Sequence, residues 1–381
     1  MASDDKNLSC LLYGPHDARF EDRPVPTLTN PHDVIVRIAY TGVCGSDVHF
    51  WHDGGIRTFV SQSSPITVGH EASGTIHAVG SAVTSLAPGD MVAIEPGYPC
   101  RQCERCKAGT YNLCPQMKFA ADPGSGLHGT LAKYFMLPAD FCFKVPKIVG
   151  SAVGLKEAVL IEPLAVATHA VRLANIKPGD TVILFGAGTV GIFAAAVARE
   201  FGARVVVSVD INESRLEFAK KVVGDDVSRT YIPEENLTPE GNARRIITTH
   251  SEALDINFNI GVGQGVDIAI DASGAPPSIQ TAIYALRMGG TYVQAGMGKR
   301  TIDFPIAEMC EKEITAKGCF RYGPGDFKLA INLATKPGGR LGQVMGEFVT
   351  NVFPFEKASE AWECAGRGEG VKTLIKGPIG V

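Results

Sequence analysis

Cys44 and His70 stand in the stretches Cys44-Gly-Ser46-Asp47-Val-His49 and Gly69-His70-Glu71. A thiolate and an imidazole are two of the three protein ligands that a catalytic zinc needs if its fourth coordination position is to stay open. The third must come from elsewhere. The favoured acidic candidate is Glu162 in Leu160-Ile161-Glu162-Pro163-Leu164, because an unpartnered carboxylate in so apolar a run would be costly to bury. Asp47 is expected to orient His70, since metal-bound imidazoles commonly donate their second ring nitrogen to a carboxylate. Glu71 is available either to approach the metal or to neutralise a nearby cation.

A second constellation follows at Cys100, Cys103, Cys106 and, after seven intervening residues, Cys114. Four thiolates so spaced, interleaved with charged residues and Gly109, fit a closed tetrahedral cage that staples a loop. An iron–sulfur cluster uses overlapping ligands, but nothing else in the chain suggests electron transfer. Four reduced surface cysteines would not require this spacing.

The third pattern is Gly186-Ala-Gly188-Thr189-Val190-Gly191, set between the apolar run Thr181–Phe185 and a helix-like run from Ile192 to Phe201. Arg204 to Asp210 then supplies another strand, completing a βαβ unit in which glycines let the backbone approach a pyrophosphate at the helix N-terminus. Asp210 follows the third glycine by nineteen residues, the place of an acid bonded to the adenosine ribose. Its charge would repel a 2′-phosphate, which points to NAD over NADP, and Arg215 tempers this only slightly. Gly186, Gly188, Thr189, Val190, Gly191, Asp210, Ile211 and Arg215 are therefore the candidate cofactor contacts.

Two kinds of element must position these residues. From residue 8 to 95, short apolar runs such as Val34–Ile38, Ser73–Val79 and Met91–Ile94 alternate with turn residues, as antiparallel strands do. From about 165, Thr181–Phe185, Arg204–Asp210, Val266–Asp271 and Gly290–Ala295 read as strands separated by helices such as Pro276 to Arg287. Ser228 to Leu254 contains a polar turn and an amphipathic helix near Asn242–Leu254, without evident chemistry. Past 300 the pattern is mixed, Phe355–Gly366 reads as a surface helix, and the tail is expected to return to the first domain.

At 381 residues, two domains are the default expectation. With 36 basic and 40 acidic residues, no electrostatic footprint for nucleic acid or an anionic membrane exists, and a small molecule is the expected partner. The polar, acidic start lacks an apolar signal core, and no apolar run reaches membrane-spanning length. A cytoplasmic location follows as the expectation, in which ten cysteines serve as metal ligands or buried thiols instead of disulfides.

Taken together, the motifs resemble those of the zinc-dependent medium-chain dehydrogenases, and within them the polyol branch. The resemblance covers nearly the whole chain and is carried by Cys44–Trp51, Gly69–Gly74, Val92–Gly97, Tyr111–Pro115, Ile161–Leu164, Phe185–Gly191 and, most specific to the branch, Phe320-Arg321-Tyr322-Gly-Pro-Gly-Asp326. It implies an α/β fold with a GroES-like β-rich catalytic domain, residues 1–164 completed by 301–381, and a doubly wound Rossmann domain, residues 165–300. It implies Cys44, His70 and Glu162 as ligands of a catalytic zinc whose shell is completed by water, and Cys100, Cys103, Cys106 and Cys114 as a structural zinc cage. Many polyol dehydrogenases lack that cage, so its completeness bears on stability. Ser46 and His49 would relay the alcohol proton to solvent through the cofactor ribose. Phe50, Phe59 and Phe119 would form apolar walls of the substrate site, with Tyr322 a polar contact and Arg321 reaching the polyol or the cofactor. The implied reaction is NAD-linked oxidation of xylitol to D-xylulose in a water-poor cleft between the domains, by a homotetramer or homodimer. Sorbitol or L-arabinitol is the alternative substrate, and a non-catalytic NAD-binding redox sensor the alternative outside the enzyme class. The chain departs from the branch at Gly54–Thr58 and Thr350–Phe353, which bears on local substrate or subunit contacts and leaves the zinc ligands untouched.

Overall fold

The computed structural model describes residues 6–146, 153–256 and 264–378. They divide into two compact units, one of Met1–Glu162 with Gly323–Val381 and one of Pro163–Tyr322. Among the described residues, no helix is long and apolar enough to cross a membrane.

The first unit is built on the strand Asp33–Gly42, whose Val34, Val36 and Ile38 alternate into a core with Ile76, Val92, Ile94 and Phe135. A period of two puts every second side chain on one face, so this alternation is what makes the segment a strand. It pairs antiparallel with Glu71–Val79, Tyr134–Pro138 and, near its end, Lys372–Lys376. The register sets Gly42 opposite both Glu71 and Leu374, so residues just beyond Gly42 meet the chain entering at His70 and the C-terminal strand. The tail therefore does return to this unit, as expected from the sequence.

A separate sheet joins Lys6–Gly14, Asp17–Pro24 and Ile66–Thr67. It shares a core with the helices Gly45–Asp53 and Ala358–Gly366. The sequence suggested a surface helix at Phe355–Gly366. Instead Phe355–Lys357 is a 3₁₀ turn, and Phe355, Ala358, Ala361 and Trp362 are buried, with Trp362 lying 5.2 Å from Trp51 between ring centroids. Alanines at i and i+3 beside a tryptophan at i+4 form a narrow apolar stripe that the flanking Glu356, Glu360 and Glu363 conceal in a composition-based reading.

The second unit holds a six-stranded sheet in the order Ser228–Tyr231, Val205–Val209, Thr181–Phe185, Val266–Asp271, Leu286–Gln294, Thr315–Gly318. Every adjacent pair is parallel. Numbered by sequence this is the order 3-2-1-4-5-6 of a doubly wound dinucleotide-binding sheet, as the resemblance implied. Thr181–Phe185 and Val205–Val209 are buried at every position, as strands covered by helices on both faces must be. Three details differ from the sequence reading. Ser228–Tyr231, within the stretch read as a polar turn and a helix, is the outer strand beside Val205–Val209. Thr315–Gly318, lying beyond residue 300, is the sixth strand, recognisable through pairing with Thr291–Gln294 and not through its own polar composition. The helix beginning at Pro276 ends at Ala285, and the strand that follows starts at Leu286.

Candidate active site and metal centre

The helix Gly45–Asp53 begins at Cys44, its extended N-cap residue. Asp47, only 2% exposed, accepts the Cys44 backbone N–H at 2.9 Å with one carboxylate oxygen and the Gly69 N–H at 3.3 Å with the other. One carboxylate thus ties the residue bearing the thiol to the residue preceding the imidazole. It also lies 3.9 Å from His70 Nδ1, within ion-pair reach but beyond a direct hydrogen bond, so it acts on the imidazole through its charge and through the Gly69 N–H.

Cys44 Sγ, a ring nitrogen of His70 and a carboxylate oxygen of Glu71 lie within 4.8 Å of one another. Glu162, buried at the start of the helix Ile161–Ala174, is outside that trio, yet its charge acts on His70. Glu71 has a partner that sequence reasoning missed. Lys372 Nζ, in the C-terminal strand, donates to both Glu71 carboxylate oxygens at 2.8 and 2.7 Å and to the Val43 carbonyl at 3.0 Å. A Cβ on Gly42 would meet Glu71 Oε2 at 2.1 Å, so glycine there makes room for the pair. Of the two roles open to Glu71, this geometry is that of a carboxylate neutralising a cation.

The electrostatics suit a cation at this centre. Burial disfavours protonation of His70, but hydrogen bonding to Cys44 and the charges of Asp47, Cys44 and Glu162 outweigh it and push the imidazole up to about 10. Burial raises Asp47 above the usual carboxylate range, against the pull of His70. The carboxylates and thiol here are met by Lys372 and by a proton held on His70, and the sulfur, nitrogen and oxygen donors present fit a zinc ion that would take that proton's place.

Ser46 sits in the first turn of the same helix, with His49 three residues on and so on the same face. His49 is exposed, and its Nδ1 lies 3.0 Å from Asp53 Oδ2. Phe119 lies 5.4 Å from the His70 ring. Phe50, by contrast, packs inside the core with Leu12, Trp51 and Trp362, and Phe59 is 62% exposed, so the structure does not bring the three phenylalanines together as one wall. Phe50 has the apolar period of a helix face, which is what places it in the core.

The four clustered cysteines converge. Cys103 Sγ lies 3.4 Å from Cys106 Sγ and 3.8 Å from Cys114 Sγ, and Cys100 lies 4.0 Å from Cys106. Bonds of about 2.3 Å in a tetrahedron separate sulfurs by about 3.8 Å, so this cage fits zinc without rearrangement. N–H groups of Gln102 and Cys103 point at Cys100 Sγ and hold that thiol well below its ordinary range, at about 6.

In the second unit, Gly186 has φ +92° and a Cβ on Gly191 would meet the Gly186 carbonyl at 1.7 Å, so the turn closes only with glycine at both places. A Cβ on Gly188, the N-cap of the helix Thr189–Glu200, would meet nothing within 4 Å, and Thr189 and Val190 follow it, half-buried, in the first turn. Asp210 accepts the Ala187 N–H at 2.6 Å and the Asn212 N–H at 2.9 Å, which fixes it at the turn with acceptor capacity to spare. Beside it Ile211 is 85% exposed, and Arg215 lies in the first turn of the next helix. Sequence reasoning also missed Asp271, fully buried at the end of its strand, which accepts from the Gly274 N–H, Ser273 Oγ and Gln294 Nε2. It thereby shapes the loop that packs on Gly186, and a strand ending in Asp before Ala-Ser-Gly was the available signal. Arg321, with φ +58°, carries its guanidinium over the Phe320 ring, and Tyr322 is buried beside it in sequence.

Residues 30–147 match the alcohol dehydrogenase GroES-like domain family, and residues 189–336 match the zinc-binding dehydrogenase family. A probable D-xylulose reductase A of Aspergillus niger is 50% identical over 372 residues, covering 98% of this chain and 97% of that protein. Another, of Arthroderma otae, is 50% identical over 381 residues and covers both chains completely. The crystal structure of L-idonate 5-dehydrogenase from Escherichia coli superposes with a TM-score of 0.81 at 25% identity, covering 97% of this chain and 98% of that one. Two matched domains, a glycine-lined nucleotide turn, two clusters of metal-binding side chains and full-length relatives lead to one assignment: this chain belongs to the zinc-binding dehydrogenases with a GroES-like domain.

Proposed function

We propose that the protein is an NAD-linked, zinc-dependent polyol dehydrogenase that interconverts xylitol and D-xylulose. The observation that carries this reading is the convergence of the half-buried Cys44 and the buried His70 and Glu71, in a chain half identical along its length to D-xylulose reductases. Cys44, His70 and Glu162 would hold the catalytic zinc, with Glu71 kept back by Lys372. Cys100, Cys103, Cys106 and Cys114 would hold a structural zinc. When bound, zinc supplies the Lewis acidity that makes a secondary alcohol acidic near neutral pH. Asp47 keeps Cys44 and His70 in register as that charge develops. Ser46 would accept the alcohol proton while giving up its own hydroxyl proton, and His49, one helical turn further and paired with Asp53, would pass that proton to solvent by way of the cofactor ribose.

NAD, as acceptor of the hydride, would lie along Gly186–Gly191 with its adenosine ribose on Asp210. Thr189, Val190, Ile211, Arg215 and Arg321 complete the proposed cofactor contacts. Phe119 and Tyr322 remain substrate candidates, and the buried Phe50 and exposed Phe59 take weaker places in that role. A cytoplasmic homotetramer or homodimer is the proposed working form. The test is NADH absorbance on adding a panel of pentitols and hexitols with NAD. Xylitol should give the highest kcat/KM. Highest activity with sorbitol or L-arabinitol would move the substrate assignment, and NAD binding without turnover of any polyol would replace the enzyme by a nucleotide sensor.

A further inference from the structure

His16, His52 and Glu363 meet on the surface of the first unit, and neither the proposed reaction nor the cysteine cage uses them. Each offers one ligand atom, and the three atoms lie within 4.8 Å of one another. His16 Nδ1 is 3.7 Å from Glu363 Oε1, His52 Nε2 is 3.9 Å from Glu363 Oε2, and the two imidazole centroids are 5.0 Å apart. Three separate elements supply them: the turn between Lys6–Gly14 and Asp17–Pro24, the last turn of the helix Gly45–Asp53, and the helix Ala358–Gly366.

Two further observations separate this cluster from a chance meeting of surface side chains. His16 has φ +56°, a left-handed conformation that a non-glycine residue adopts at a cost, and its N–H donates to the Trp51 carbonyl at 2.9 Å, so its backbone is pinned beside the helix end. The Trp51 indole N–H donates to Glu363 Oε1 at 2.6 Å, which holds the carboxylate and draws Glu363 below the usual carboxylate range. A hydrogen bond of this kind, from a side chain behind the ligand, is how metal-binding carboxylates are oriented.

We propose that His16, His52 and Glu363 form a further binding site for a borderline transition dication of the zinc class, with water completing the shell. Two imidazoles and one carboxylate select zinc, nickel or copper(II) over calcium or magnesium, which prefer oxygen alone. With bonds of about 2.0–2.1 Å, tetrahedral ligand atoms stand about 3.3 Å apart, so exposed side chains close the site by small rotations. The ion joins the hairpin turn to both helices, and it stabilises the first unit by binding the folded form alone.

The probe is zinc itself, added to holoenzyme freed of loosely held metal by gel filtration, with bound zinc measured by equilibrium dialysis near neutral pH and Tm followed in parallel. The variants are His16→Asn, which keeps a residue tolerant of the left-handed backbone, and Glu363→Gln, which keeps an acceptor for Trp51. Wild type should take up one more zinc per chain than either variant, with a Tm that rises with zinc concentration. The variants should bind that zinc roughly tenfold or more weakly, lose the Tm rise, and keep wild-type polyol activity and melting when no zinc is added. Equal zinc uptake and equal Tm response in wild type and both variants would overturn the proposal. So would wild type that takes up no further zinc.

Discussion

Replacing Lys372 by Met tests whether the C-terminal strand is part of the catalytic pocket. Lys372 and Glu71 are buried, 5% and 2% exposed at their side chains, and their closest atoms are 2.7 Å apart. At that distance and an effective dielectric near 20, Coulomb's law gives roughly 6 kcal/mol. Desolvation of both groups offsets part of this in the pair, but removal of one partner leaves a buried carboxylate with its charge uncompensated, at about 3–5 kcal/mol. For a unit of this size, each kcal/mol moves Tm by about 2–4 °C, so the variant should melt roughly 6–20 °C lower. Glu71, released from the ammonium beside Cys44 and His70, should also compete for the metal and depress kcat. The assay is thermal unfolding and steady-state kinetics on Lys372→Met, Glu71→Gln and the double variant. The double variant should recover much of the lost Tm, since neither member is then a lone charge. Melting of Lys372→Met within about 1 kcal/mol of wild type, or no recovery in the double variant, would refute the argument. The pH direction adds a check. Burial lowers the Lys372 pKa, while Glu71, Cys44 and Glu162 raise it more, to a net value above 10.5, so the pair's contribution holds below that pH and fades only as pH rises beyond it.

Asp210→Ala should raise the KM for NAD by about 10–100-fold, as loss of a charged hydrogen bond implies, and shift preference toward NADP; an unchanged ratio of kcat/KM for the two cofactors would show that Asp210 does not read the ribose. Cys103→Ser should lower Tm more than kcat, and an unaltered Tm would argue against a metal cage at Cys100–Cys114. Glu95, whose carboxyl is pushed up to about 8 by burial against the hydrogen bond from Tyr111, should make stability fall as pH rises from its ordinary 4.5 toward 8. Glu95→Gln should flatten that profile, and denaturant titrations with equal slopes for both proteins across this range would contradict it.

The features legible before folding were those whose signal lies within a few residues. Cys100–Cys114 is a local spacing, the glycine turn and Asp210 belong to one βαβ unit, and the alternation in Val34–Ile38 is intrinsic to a strand. What escaped depends on distant pairing. Lys372 is one of two lysines flanking Thr373-Leu374-Ile375 until the register sets Gly42 opposite Leu374 and so draws it to Glu71. Thr315–Gly318 has a loop-like composition and becomes an edge strand only through a neighbour that accepts it. Phe50 shows the opposite limit, because one aromatic residue near a candidate ligand reads equally well as wall or core, and packing against Trp51 and Trp362 decides for the core.

The discontinuity of the first unit orders events during synthesis. Pro163–Tyr322 is contiguous and contains its whole parallel sheet, so every strand of that sheet has left the ribosome once Tyr322 has. The cluster around Cys44 draws on residues 44, 70, 71 and 372, so a nascent chain stopped short of residue 372 carries an uncountered Glu71 and leaves Tyr40–Gly42 without its C-terminal partner strand. Truncated translation products would thus hold a complete parallel sheet but an unfinished first unit, whose open strand edge at Tyr40–Gly42 is free to pair with another chain.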